Sequence, residues 1–156
     1  MEIERKYLIH TLPENLDQYP SHKIEQGYLN TSPVVRIRQS DDEYYLTYKG
    51  GGLLAREEYN LPLTKEAYEH MRPKADGIVL SKRRYLIPLT DKLTIELDVF
   101  DTPYKGLYLA EVEFETLEEA TNFTPPEWFG PDVTLSGQLQ NSLLSRGLAA
   151  IKPSWD

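Results

Sequence analysis

Apolar and polar residues alternate with a period of two along most of the chain. The runs are broken by clusters of Gly, Pro, Asn, Asp and Ser, the pattern of β-strands with two unlike faces. It predicts eight strands, over residues 2–9, 24–30, 34–39, 43–49, 55–61, 79–87, 93–100 and 107–115. Thr31-Ser32-Pro33, Ser40-Asp41-Asp42 and Gly50-Gly51-Gly52 are short connections that favour antiparallel neighbours. Helices are expected where the alternation stops. Thr11 with Glu14 has capping-box spacing, a second start lies at Thr64 with a stop before Pro73, and Thr116 with Glu119 marks a third. Beyond Pro125-Pro126, Leu135, Leu139 and Leu143, widened by Leu144 and Leu148, form the stripe of an amphipathic C-terminal helix. The expected class is mainly β (α+β): a closed eight-stranded antiparallel barrel with a few outer helices, one domain over 1–148, and a tail over 149–156. Closure removes exposed sheet edges, and a barrel of eight strands holds side chains or one small ligand.

Sorting by parity puts most of the charge on one face of the strands. Glu2, Glu4 and Lys6 oppose Ile3 and Tyr7; Arg36 and Arg38 oppose Val35 and Ile37; Lys49 opposes Leu46 and Tyr48. Arg56 and Glu58 oppose Tyr59 and Leu61, and Lys82 and Arg84 share a face of the sixth strand. Glu96 and Asp98 oppose Ile95, Leu97 and Val99, and Glu111, Glu113 and Glu115 oppose Ala110, Val112 and Phe114. Charged faces usually meet water, so an ordinary solvated exterior is one reading. Segregation favours another: some strands give only cations and others only anions, where a face built for solubility mixes signs. A carboxylate cluster calls for a cation and an Arg/Lys cluster for a polyanion, and a metal–polyphosphate complex supplies both.

Composition narrows the classes. The chain has 156 residues, 40% hydrophobic and 27% charged, with a net charge of −8 and no cysteine. The acidic balance argues against a nucleic-acid binder held by a basic surface, and the missing thiols exclude disulfides and thiolate metal sites. Oxygen ligands without thiolates favour hard cations, Mg²⁺ or Mn²⁺. His10, His22 and His70 lack paired metal-ligand spacing, and Gly50-Gly51-Gly52 precedes no helix start, so it is a turn rather than a phosphate cradle. With no apolar run near ~18 residues and a charged start, the expectation is a cytoplasmic protein with no membrane partner.

Glu2-Ile3-Glu4-Arg5-Lys6 resembles the ExExK signature of the CYTH superfamily, the triphosphate tunnel metalloenzymes. The pattern gains specificity from further residues in the same order: Arg36-Ile37-Arg38, Lys49, Arg56 with Glu58, Lys82 with Arg84, Glu96 with Asp98, and Glu111 with Glu113. The resemblance implies a tunnel whose charged face points inward, with outer helices over the apolar face. It implies metal ligands Glu2, Glu4, Glu111 and Glu113, with Glu58, Glu96 and Asp98 completing the acidic side. Lys6, Arg36, Arg38, Lys49, Arg56, Lys82 and Arg84 would hold phosphate oxygens. A helix across one tunnel mouth is also implied, although Val133–Ser142 departs from the family's usual wording.

The expected activity is metal-dependent hydrolysis of triphosphates, inorganic tripolyphosphate before nucleoside triphosphates, by a monomer or homodimer. Lys6 and Glu4 are the expected catalytic residues. Lys6 is read as a general base whose pKa falls among cations, with a carboxylate among Glu2, Glu4 and Glu113 as the alternative. A class IV-type adenylyl cyclase is an alternative; those enzymes resemble one another in a His-Phe element ahead of ExExK, and only Met1 precedes Glu2 here. A non-catalytic polyphosphate or nucleotide sensor is another, though it has little use for a full acidic wall. Tyr28 shares the tunnel parity, and Trp128-Phe129-Gly130 is expected to pack beneath the C-terminal helix.

Overall fold

The computed structural model describes residues 1–90, 92–135 and 141–146. Among these residues, nine strands form one antiparallel sheet: β1 (Glu2–Leu8), β2 (Ser21–Thr31), β3 (Val34–Ser40), β4 (Glu43–Lys49), β5 (Ala55–Arg56), β6 (Glu58–Pro62), β7 (Asp76–Pro88), β8 (Thr94–Phe100) and β9 (Tyr108–Glu113). Their spatial order is β5-β1-β9-β8-β7-β2-β3-β4-β6. The two outermost strands are consecutive in sequence with only Glu57 between them. The chain therefore leaves β1 and joins β4 within one residue, which closes the sheet on itself. The single strand expected over 55–61 is split at this point, because its two halves pair with opposite edges.

The seam beside the rest of β1 is covered by residues 130–134. Leu8 N donates to Pro131 O at 2.9 Å, Val133 N to Lys6 O at 2.8 Å, and Lys6 N to Thr134 Oγ1 at 2.9 Å.

Two of the expected helix starts are in place. Thr64 Oγ1 accepts from Ala67 N at 3.0 Å ahead of α1 (Lys65–Met71), and Thr116 Oγ1 from Glu119 N at 3.1 Å ahead of α2 (Leu117–Thr121). The start expected at Thr11 is not used. Asn15 takes a left-handed conformation, φ 59°, and a single 3₁₀ turn, Leu16–Gln18, follows it. At the C-terminal end α3 (Asn141–Leu144) is described and Leu144 is buried. Leu135 lies in an exposed turn, while Leu139, Leu148, the side chain of Leu143 and the tail over 149–156 lie outside the described residues.

The apolar parity faces outward; it is covered over β1, β8 and β9 and left exposed at Tyr48 of β4 and at Tyr59 and Leu61 of β6. Ile3, Tyr7, Ile95, Leu97, Ala110 and Val112 pack against Ala120 of α2 and against Phe123, Trp128 and Phe129. Trp128 and Phe129 belong to the cover over β1, with Phe129 4.9 Å from the Tyr7 ring; most of the C-terminal helix expected above them lies outside the described residues. Leu144 joins a second cluster with Leu8, Tyr28, Val34, Leu80, Phe100, Tyr104 and Leu107. No helix among the described residues is long and apolar enough to cross a membrane.

Candidate active site

With the apolar face turned out, the other parity encloses a cavity of about 530 Å³. Most of the residues singled out by the charge pattern reach it. From the acidic set, Glu2, Glu4, Glu58, Glu96, Glu111 and Glu113 line the cavity; from the cationic set, Lys6, Arg36, Arg38, Lys49, Arg56 and Arg84 do so. Lys82 and Asp98 are not brought to the lining. Lys82 Nζ lies 2.6 Å from Asp98 Oδ2, and both side chains are 0% exposed. Alternation assigns both to the inward parity, but they are buried against each other and outside the lining. Tyr28 and Val34 line the cavity and also belong to the apolar cluster around Leu144, so that cluster floors one end.

Half of the Glu, Lys and Arg side chains in the lining are paired within the protein. Lys49 Nζ is 2.9 Å from Glu2 Oε1, and Lys6 Nζ 3.6 Å from Glu111 Oε1. Arg84 donates to Asp98 at 2.7 and 2.9 Å and to Glu96 at 3.2 Å. Glu58 has no ion pair among the described residues and accepts from Asn60 Nδ2 at 3.4 Å, and two like-charged pairs are left uncompensated. Glu4 and Glu113 are directly opposite one another in the β1–β9 register, and among the described residues neither carboxylate has a hydrogen bond or ion pair. Arg36 and Arg38 are the second pair: among the described residues no carboxylate approaches either within 4 Å. Among the described residues, Arg36 Nη2 donates to Thr47 Oγ1 at 3.3 Å and its buried Nε has no partner, while Arg38 donates only to Gln26. Arg56 at the closure point has a carbonyl partner instead, Gly50 O at 3.1 Å.

The proton affinities follow this map. Burial raises Glu4 well above the usual carboxylate range, helped by the charges of Glu111 and Glu2. Burial also raises Glu113, with Glu96 and Glu58 adding to it. Glu2 is pushed up to about 7 by burial, against the pull of Lys49. Burial draws Arg38 down to about 9, and the neighbouring charges of Arg36 and Arg84 act the same way. Glu111 is held well below the usual range because Lys6, Arg84 and Lys82 overcome its burial.

Lys6 departs from the sequence-based expectation of a lowered pKa. Burial works in that direction, but Glu111 and Glu4 outweigh it and hold the ammonium charged. The register explains the difference: Lys6 faces Glu111 across β1–β9, a neighbour that spacing within one strand does not reveal.

The fit to a metal ion rests on Glu4 and Glu113. Two like charges opposite each other in a sheet repel, and a shared divalent cation relieves that repulsion with oxygen ligands of the right hardness. Among the described residues no three His, Asp or Glu side chains are already gathered around one point. The carboxylates nearby, Glu2 and Glu111, are engaged with Lys49 and Lys6.

Several lining residues were not singled out from the sequence. Ser40, Tyr45, Thr47 and Asn60 share the inward parity of their strands, and His22 does too, its Nδ1 2.7 Å from Asp41 Oδ2. Alternation locates these neutral groups, but charge segregation passes them over. Thr134 and Asn141 come from outside the strands and carry no periodic signal.

The CYTH domain model matches residues 1–129. An inorganic triphosphatase of Nitrosomonas europaea is 38% identical over 147 residues, covering 92% of this chain and 96% of that protein. An inorganic triphosphatase of Acetivibrio thermocellus is 33% identical over 152 residues, with 92% of each chain covered. The crystal structure of an inorganic triphosphatase superposes with a TM-score of 0.70 at 34% identity, covering 95% of this chain and 96% of that one.

Proposed function

This chain belongs to the CYTH domain family, and from that premise we propose that it hydrolyses triphosphates with the help of a divalent cation. Inorganic tripolyphosphate is the preferred substrate, with nucleoside triphosphates accepted less selectively. One observation carries the reading: in a single cavity, an uncompensated arginine pair (Arg36, Arg38) accompanies an uncompensated carboxylate pair (Glu4, Glu113). A triphosphate answers the first and a cation the second. The similarity to two inorganic triphosphatases supports the same reaction.

Glu4 and Glu113, with Glu2 and Glu111 beside them, would hold Mg²⁺ or Mn²⁺. Such an ion neutralises phosphate charge, orients the scissile linkage and makes water more acidic. Arg36 and Arg38 bind phosphate oxygens through planar forks suited to paired acceptors. Lys6, held charged, adds a point charge. Arg84 is fixed by Asp98 and Glu96, so it offers a positioned donor edge without having to be ordered during the reaction. Lys82 contributes by holding Asp98 in place. With Lys6 held charged by Glu111 and Glu4, the base is sought on the acidic wall, where burial raises the proton affinities of Glu2, Glu4 and Glu113.

The test is phosphate release from tripolyphosphate, ATP and pyrophosphate, each with Mg²⁺, Mn²⁺ or chelator. Metal-dependent release that is fastest from tripolyphosphate is expected. Binding without turnover under every metal would instead indicate a sensor, and cyclic AMP formed from ATP would indicate a cyclase.

A further inference from the structure

Arg38 is fixed in the cavity by an unusual partner. Gln26 stands directly opposite it in the β2–β3 register and is 0% exposed. Its Oε1 accepts from Arg38 Nε at 2.8 Å and from Nη2 at 2.6 Å. A guanidinium has donors only, so the amide oxygen must face it, and the orientation of the amide follows from chemistry alone. The cost is visible on the other side, where Gln26 Nε2 is buried without a partner among the described residues. Leaving such a donor unsatisfied is unfavourable. A glutamate has the same shape and would offer Arg38 a stronger acceptor. It would also neutralise the arginine, as Glu2 does Lys49 and Asp98 does Arg84.

We propose that Gln26 is a positioning residue for triphosphate binding: a neutral two-point acceptor that fixes the Arg38 fork while leaving its charge for a phosphoryl group. This role rests on the triphosphatase reading and explains how one of its phosphate contacts is prepared. Two bonds to one oxygen set the plane of the guanidinium before substrate arrives, so little side-chain freedom is lost on binding. The other N–H donors of Arg38 remain for phosphate oxygens. Burial among Arg36 and Arg84 raises the free energy of the charged arginine, which increases what an arriving anion relieves.

The test uses Gln26→Glu and Gln26→Met beside the wild type. Metal-free binding of tripolyphosphate is measured by calorimetry, KM and kcat for its hydrolysis with Mn²⁺ by phosphate release, and Tm by scanning calorimetry. For Gln26→Glu we expect Kd and KM to rise on the order of ten- to a hundredfold, with kcat within a few-fold of wild type and Tm unchanged or higher. Gln26→Met frees the Arg38 fork and also weakens binding, by a smaller factor because the charge survives. Gln26→Glu binding tripolyphosphate as the wild type does would overturn the proposal. So would affinity falling only in step with Tm in both variants, the signature of a packing role. Wild-type protein that neither binds nor hydrolyses tripolyphosphate would overturn the functional reading itself, and this inference with it.

Discussion

Glu2, Glu4 and Lys6 lie in seven residues of one strand, yet the structure gives each a different electrostatic task. Glu2 pairs with Lys49, Glu4 has no ion-pair partner among the described residues, and Lys6 faces Glu111. Alternation makes the shared inward face of these residues readable from the sequence. The pairings are not readable, since those depend on which strands become neighbours. For the same reason Lys82 and Asp98 look from the sequence like ligands and turn out to bond each other, and Gln26 escapes notice because a neutral residue leaves no mark on a charge pattern.

Two predictions belong at this scale. Lys6→Gln should raise KM for tripolyphosphate about tenfold, the loss of one charge-assisted contact, while the pH profile of kcat keeps its shape. Loss of the acidic limb of that profile in the variant would return the base role to Lys6. The second concerns Glu2, whose pKa is raised from 4.5 to about 7. The folded protein binds this proton more tightly than the unfolded chain does. Its contribution to stability is therefore complete below pH 4.5 and lost as pH rises through about 7. In metal-free denaturant titrations, wild type should lose stability relative to Glu2→Gln between roughly pH 5 and 8. A constant difference across that range would contradict the shift.

At the scale of elements, the strands are readable because they alternate strictly, and α1 and α2 because a threonine hydroxyl caps each one. Thr11 with Glu14 has the same spacing and fails. The left-handed Asn15 interrupts the run, and the chain must reach β2 by Ser21, which leaves room for only one tight turn. The break at Glu57 is hidden for a different reason. Residues 55–61 alternate as one strand, and only the closing of the sheet divides them between β1 and β4.

The 141–146 segment docks on β7 through Ile78 N, which donates to Ser145 O at 2.6 Å, and on the β8–β9 connection through Tyr104 Oη, which donates to Leu144 O. Gly77 makes the approach possible. It adopts φ +66°, and a Cβ there would collide with the carbonyl oxygen of Ser145. Gly77→Ala should therefore cost about 1–3 kcal/mol, lower Tm and speed proteolysis near Leu144. Unchanged stability and protease resistance would show that this docking is not made in solution.

For the whole molecule, a net charge of −8 coexists with an interior that retains uncompensated arginines. Total charge argues against a basic nucleic-acid surface and says nothing about this enclosed site, where distribution governs binding. Alternation does not decide the direction in which the charged face points, since it fits a solvated exterior equally well. The resemblance to the CYTH family supplies the direction, and the apolar cover of α2, Phe123, Trp128 and Phe129 over the outward face gives the physical reason for it.

Anomalous diffraction from crystals grown with Mn²⁺ and a non-hydrolysable triphosphate analogue tests the two-walled cavity most directly. A manganese peak is predicted within bonding distance of Glu4 and Glu113, inside the barrel, with the analogue's phosphates on Arg36 and Arg38. Manganese on the outer surface, or an empty cavity with the analogue bound elsewhere, would contradict it.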